Sequence, residues 1–311
     1  MSRNAAPFVV ACGRSGTTLL RNMLDAHPDL AVPPESWFVA SLARQRHRFE
    51  GGTAFDVKAF VDALGDHDGF QRWGLPDDSL REALLEVPPV DLEEAVRSVF
   101  VTYALSRGKS RWGDKTPGYL LSMDLVGGLL PEARFVHLIR DGRNVALSLV
   151  AIDKPWAPND LGRAALRWRR RIETGRKLGH ALGPERYREI RYEDLIDNPE
   201  AILRDVCTYI EIPFDDAMLH AYQRPAPAAG LSSGQRHSRL APIKGLRDWS
   251  RDMPSKDLVL VEAVAGSALE SLGYGRAVSE IPSKVRLQAR AIELGDAMGR
   301  IGKRLDTRGS A

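Results

Sequence analysis

The chain has 311 residues, 43% of them hydrophobic and 27% charged, which is the composition of a globular protein and excludes wholesale disorder, collagen-like repeats and a small disulfide scaffold. Forty-four basic against 41 acidic residues leave a net charge of +3, so bulk charge gives no reason to expect a nucleic-acid partner. At ~100–200 residues per domain, the length fits one large domain or two small ones.

Apolar runs of strand length alternate with helical patterns, which predicts an α/β fold with a central parallel sheet. The first strand is expected at 7–12, a continuous apolar run suited to a strand covered on both faces. A helix follows at once over 17–26. Helices are expected at 36–49, 56–64, 77–86 and 91–106, the last opening on Asp91 as N-cap with Glu93 and Glu94 in its first turn. A short strand at 110–114, a helix at 118–130 and a second continuous apolar strand at 134–139 come next. Helices at 142–151 and 160–180, a strand at 187–191, and helices at 199–210 and 254–272 complete the alternation. Within the 160–180 helix, the basic run Arg167–Arg171 reads as a solvated face with Trp168 turned inward, and Trp73, Trp156 and Trp249 read as core or lid aromatics. Pro28, Pro131 and Pro199 sit at element boundaries, where proline is tolerated.

Residues 223–247 are rich in Pro, Ala, Gly, Ser and Arg, and read either as a lid over a ligand or as a plain loop. From Ser283 the chain carries seven Lys or Arg and three acids, net +4. Leu287, Ala291, Leu294, Met298, Ile301 and Leu305 recur there at spacings of 4, 3, 4, 3 and 4, an amphipathic helical stripe. That stripe suits packing on the same chain, self-association, or a membrane surface.

Cys12 and Cys207 both lie in apolar contexts and read as buried thiols, which fits a reducing compartment. No run reaches the ~18 apolar residues of a membrane helix, and the N-terminus lacks a signal-peptide pattern. A cytoplasmic protein is expected. The seven histidines are scattered without metal-ligand spacing, so no metal is expected.

The first strand runs into Gly13-Arg14-Ser15-Gly16-Thr17-Thr18 and then a helix. Strand, glycine turn and helix make an anion site, because a helix N-terminus presents free N–H groups and about half a positive charge. Ser15, Thr17 and Thr18 add hydroxyls and Arg14 a fixed cation. This is not a Walker A loop, since two residues rather than four separate the glycines and no Gly-Lys-Ser/Thr follows. The strand at 134–139 ends in Arg140-Asp141-Gly142-Arg143, again strand, turn, helix. Ligands of open α/β sheets bind at strand carboxyl ends, so Arg140 and Ser148 are candidates for a second anionic group. Asp141 and Arg143 read as a local pair capping the helix.

Gly-Arg-Ser-Gly-Thr-Thr-Leu-Leu after a strand, with Ile-Arg-Asp-Gly-Arg-Asn-Val-Ala-Leu-Ser later, resembles the sulfotransferases that use 3′-phosphoadenosine 5′-phosphosulfate (PAPS). Trp112-Gly113-Asp114-Lys115-Thr116-Pro117 and Arg191-Tyr192-Glu193-Asp194-Leu195 match further segments of that family. The likeness covers about residues 7–275, and is strongest to the branch holding the tyrosylprotein sulfotransferases and many bacterial relatives. It implies a P-loop-like three-layer fold, a sulfotransferase domain over 1–275 with a helical acceptor-side insert about 36–108, and a basic amphipathic tail over 276–311.

By the same resemblance, Arg14, Ser15, Gly16, Thr17 and Thr18 would bind the 5′-phosphosulfate, and Arg140 and Ser148 the 3′-phosphate. Tyr192 would sit near the nucleotide, or simply pack as a strand aromatic, and Lys244 would lie on a late closing loop. Glu35 stands at the branch's distance from the loop arginine and would take the acceptor's proton. The alternative for Glu35 is a helix N-terminal residue acting on the helix dipole. Lys115 would stabilise charge at the transferring group, or else pair with Asp114 at the surface. The branch carries an arginine two residues after this glutamate, and here that position is Trp37. The departure points from an acidic peptide towards a small-molecule, lipid or carbohydrate hydroxyl. A kinase-like phosphotransferase and a non-catalytic nucleotide-binding module stay open on the residues alone.

Overall fold

A computed structural model describes residues 4–75, 77–223 and 248–309. In chain order the larger elements are β1 (Ala6–Val10), α1 (Thr17–Asp25), β2 (Leu30–Ala31), α2 (Phe38–Arg44), α3 (Val57–Gly65), α4 (Asp68–Gln71), α5 (Asp77–Glu86), α6 (Leu92–Ser106), β3 (Arg111–Trp112), β4 (Asp114–Lys115), α7 (Met123–Leu129) and β5 (Ala133–Ile139). They continue as α8 (Gly142–Val150), α9 (Leu161–Leu182), β6 (Tyr187–Arg191), α10 (Tyr192–Asp197), α11 (Pro199–Tyr209), α12 (Trp249–Asp252), α13 (Ser255–Ser271) and α14 (Ser283–Gly309). They fall into two compact units: Met1–Ile139 with Thr174–Lys244, and Arg140–Glu173 with Gly245–Ala311.

The first unit holds a four-stranded sheet in the order β4-β1-β5-β6, parallel throughout, with a separate β2-β3 pair. The expected parallel α/β sheet is present. Alternation along β1 splits the core in two. Phe8, opposite Phe135, joins an aromatic cluster in which Phe100 stacks on Trp112 at 4.6 Å and Trp73 lies 5.1 Å from Phe100. Val9, opposite Val136, joins Leu20, Met23 and Leu24 of α1 and Leu203 and Val206 of α11. Both cysteines are buried and neither is in a disulfide, as expected.

The expected strand at 110–114 is two short strands interrupted at Gly113, where a Cβ would lie 2.7 Å from the Pro7 ring. The expected helix at 36–49 starts only at Phe38, because Trp37 takes a left-handed backbone (φ +55°). The expected helix at 118–130 is a 3₁₀ turn, Pro117–Leu121, followed by α7. Asp91 caps α6 by accepting from the Glu94 N–H at 2.8 Å.

In the second unit α14 is a helix, but it is rotated from the orientation its sequence suggests. Ala289 is buried, Ile292 approaches Gly162, Glu293 pairs with Arg169 at 2.6 Å, and Asp296 pairs with Arg170. Leu287, Leu294 and Met298 face solvent at 65%, 64% and 67% exposure, so these members of the apolar stripe do not pack on the body of the chain. Small residues permit close approach and the ion pairs fix the rotation. Those pairs also correct the reading of Arg167–Arg171 as a solvated face. Trp168 is buried as expected, whereas Trp156 is exposed.

Candidate active site

β1 feeds a tight loop into α1. Arg14 (φ +77°) and Gly16 (φ +94°) both take left-handed backbones, which folds the loop back on itself. Ser15 is fully buried and its Oγ donates to the Cys12 carbonyl at 2.7 Å. That hydroxyl therefore braces the loop, and what Ser15 can offer an anion is its backbone. Gly16 ends the turn without a side-chain cap, and Thr17 and Thr18 form the first turn of α1, where N–H groups have no helical partner. The Tyr192 ring packs directly on Gly16, leaving no room for a Cβ there. Two segments that lie 176 residues apart in sequence thus meet at the loop.

Beside β1, β4 presents Lys115, whose register partner is Val9. Lys115 Nζ donates to Glu35 Oε1 at 2.7 Å, with the lysine side chain 4% exposed and the glutamate 26%. The surface pairing of Lys115 with Asp114 does not occur, because neighbours on a strand point to opposite faces. Glu35 Oε2 accepts from the Trp37 indole N–H at 3.0 Å. Glu35 precedes α2 by three residues and is committed to these two partners, so the dipole-only reading of it is also corrected.

The turn carrying Glu35 is braced from several sides. The Trp73 indole donates to the Pro34 carbonyl at 2.9 Å. Gly69 lies against the turn, where a Cβ would overlap the Ser36 carbonyl. Trp37 lies over Gly118, where a Cβ would come within 2.5 Å of the indole, and keeps 44% of its surface exposed. Beneath the turn Ser36, Thr116 and Tyr119 form a buried hydroxyl cluster that ends on Asp114. Burial pushes the Asp114 carboxyl up to about 7, against hydrogen bonds from Ser36 and Thr116 that pull the other way. The roles of Trp37 and of this cluster were not foreseen in the sequence, although Asp114 and Thr116 stand in a recognised segment.

Arg140 and Ser148 are both buried and belong to the second unit. Asp141 caps α8 by accepting from the Arg143 N–H, and its carboxylate pairs with the Arg143 guanidinium at 2.7 Å, as the sequence suggested. Arg143 also binds Glu262 at 2.8 Å and lies 3.8 Å over the Trp249 ring. Gly142 is required because a Cβ would strike the buried Trp168 ring at 2.5 Å. Lys244 and 224–247 lie outside the described residues.

The sequence profile of the Sulfotransferase family matches residues 7–216. The chain belongs to the sulfotransferase family. This sulfotransferase is 24% identical over 280 residues to protein-tyrosine sulfotransferase A of Caenorhabditis elegans, covering 86% of this chain and 67% of that protein. It is 26% identical over 276 residues to human protein-tyrosine sulfotransferase 1, covering 86% and 69%. Its fold matches the sulfotransferase domain of the Synechococcus PCC 7002 olefin synthase with a TM-score of 0.62 at 23% identity, over 88% of this chain and 95% of that domain. The P-loop-like fold and the sulfuryl-transfer activity expected from the sequence therefore stand, and the kinase-like and non-catalytic readings are set aside. No helix among the described residues is long and apolar enough to cross a membrane, and no group of metal-ligating side chains occurs among them.

Proposed function

We propose that this sulfotransferase takes its sulfuryl group from PAPS and passes it to a hydroxyl by in-line displacement, with Glu35 as base. The reading rests on the 2.7 Å pair of Lys115 and Glu35, held on the strand next to the anion loop. The acceptor oxygen forms a bond to sulfur as the bond from sulfur to the 5′-phosphate oxygen breaks. The acceptor proton goes to Glu35, and the electron pair leaves with 3′-phosphoadenosine 5′-phosphate (PAP). A carboxylate has about four lone-pair sites, so Glu35 retains acceptor capacity beside its bonds to Lys115 and Trp37. Lys115 and Arg14 supply fixed positive charge where negative charge grows on the leaving oxygen.

In the same proposal, Ser15, Gly16, Thr17 and Thr18 hold the 5′-phosphosulfate through loop and helix N–H groups. Arg140 and Ser148 hold the 3′-phosphate, Tyr192 flanks the nucleotide, and Lys244 closes over it. The transferase portion is 1–275, and the protein works in the cytoplasm, a reading supported by two buried thiols outside any disulfide. The acceptor is a small-molecule, lipid or carbohydrate hydroxyl rather than an acidic peptide, because the exposed side chain two residues after Glu35 is the indole of Trp37 and not an arginine.

The test is thermal denaturation with PAP, against ATP and 5′-AMP. Ligand at 100 times its dissociation constant adds about 2.7 kcal/mol. Stabilisation by the 3′-phosphorylated nucleotide alone is the expected result, and stabilisation by ATP alone would overturn the donor assignment. Glu35→Gln is expected to keep the PAP shift and lose transfer, and a wild-type rate in that variant would remove Glu35 from the chemistry.

A further inference from the structure

We infer that Asp114 is a positioning residue, the common terminus of two hydroxyl relays that lock the Glu35 turn onto the strand carrying Lys115. The inference rests on the roles proposed above for Glu35 and Lys115. β4 is two residues long and presents one side chain to each face of the sheet. Lys115 grips Glu35 from one face, while Asp114, fully buried, holds Ser36, the next residue of the same turn, through the Thr116 hydroxyl.

The direction of the hydrogen bonds is fixed by which atoms own protons. The Ser36 N–H donates to Thr116 Oγ1 at 2.9 Å, and Thr116 Oγ1 passes its single proton to Asp114 Oδ1 at 3.3 Å. The Val39 N–H donates to the Tyr119 hydroxyl at 3.0 Å, Tyr119 donates to Ser36 Oγ at 2.9 Å, and Ser36 Oγ donates to Thr116 Oγ1 at 3.2 Å. Both relays start at backbone N–H groups around the start of α2, which Trp37 leaves without a side-chain cap. Both converge on Thr116 and through its hydroxyl end on one carboxylate.

Asp114 Oδ2 is buried without a partner and is the atom that would carry the proton of a neutral acid. The charged and titratable groups facing the carboxylate are Lys115 on its own strand, Glu35 on the turn and Tyr119 on the Pro117–Leu121 turn. Phe8, its partner on β1, is apolar. The acceptor at Asp114 organises the turn, and its loss frees the Ser36 and Val39 amides.

Residue-resolved amide hydrogen exchange on the full chain tests this without knowledge of the acceptor. Hydrolysis of PAPS, with water as acceptor, supplies the activity readout. In Thr116→Val and Asp114→Asn, the Ser36 and Val39 amides are expected to exchange at least about tenfold faster while α1 amides stay protected. PAPS hydrolysis should fall by tenfold to roughly a hundredfold, as for an ångström-scale misplacement. Thr116→Ser is expected to restore both. Unchanged protection in Thr116→Val and Asp114→Asn, or lost protection with undiminished hydrolysis, would overturn the inference. Glu35→Gln should leave protection intact and abolish hydrolysis. Full activity in Glu35→Gln would defeat the base assignment alone, and the exchange result would still decide the relays.

Discussion

Gly69 lies 34 positions downstream of Glu35 in sequence, yet it touches the turn that holds it. In Gly69→Ala the new methyl would stand 2.9 Å from the Ser36 carbonyl carbon and 3.0 Å from the Glu35 carbonyl oxygen, and closer still to the Ser36 carbonyl oxygen. These are backbone atoms, so no rotamer change relieves the overlap, and either α4 or the turn must move by about 1 Å. Overpacking of this kind costs about 1–3 kcal/mol, and the absence of a side-chain escape favours the upper end. At ~2 °C per kcal/mol for a chain of this size, the midpoint of thermal unfolding should fall by about 4–6 °C. An ångström of misplacement at a catalytic group costs on the order of 100-fold in rate. Gly65→Ala is the matched control. It sits in the last turn of α3 with nothing within 4 Å of the added methyl, and alanine there gains up to about 1 kcal/mol of helix propensity. Thermal unfolding and PAPS hydrolysis of the two variants would be compared. A Gly69→Ala protein with the control's midpoint and rate would show that the turn is not held where the structure places it.

Three further outcomes are expected. Burial raises the Asp114 carboxyl from its usual 3.8 to about 7. Between those values the unfolded chain is ionised while the folded one keeps its proton, so stability falls as pH rises, by ~1.4 kcal/mol per unit at most, and levels above 7. Asp114→Asn should therefore gain on the wild type across that window, and urea midpoints that stay parallel from pH 4.5 to 8 would refute it. Arg97 pairs with Glu132 at 2.6 Å and with Glu93, and the Glu132 side chain is only 2% exposed. Arg97→Ala should cost about 3–5 kcal/mol by stranding that carboxylate, and Arg97→Met combined with Glu132→Gln should recover most of it in urea unfolding. On α14, Ala289→Glu should destabilise while Leu294→Lys should leave stability unchanged. Self-association through the outward stripe, one of the readings of its sequence, predicts that Leu294→Lys also reduces the mass found by analytical ultracentrifugation, and a monomeric wild type would exclude it.

The sheet and its loops were legible because both central strands are continuous apolar runs bounded by glycine turns. The register followed, since Phe8 and Val9 must face different cores. What escaped was rotation. The spacing of Leu287, Leu294 and Met298 shows that one face of α14 is apolar, but not which face meets the protein. That was decided by Arg169 and Arg170, more than 120 residues away in sequence. The start of α2 escaped because a left-handed tryptophan has no local signature; it is held there by Glu35, Gly118 and Tyr119. The partner of Lys115 was within reach of strand alternation, which forbids Asp114. The local Asp141–Arg143 cap was readable at two residues' distance, whereas Glu262 and Trp249 were not.

The surroundings of Arg143 bear on where this enzyme can be cut. The family profile stops at 216, yet a guanidinium in the first turn of α8 is neutralised by Glu262, bonded to the Gly275 carbonyl and covered by Trp249. A fragment trimmed to the recognisable portion would keep the arginine and lose three of the groups that make its burial tolerable. A piece that keeps these surroundings therefore extends to at least Val278, three residues past the boundary proposed above, whose N–H is the last bonded to Glu262. Domain transplants cut at the end of the family profile would stop some 60 residues short of it.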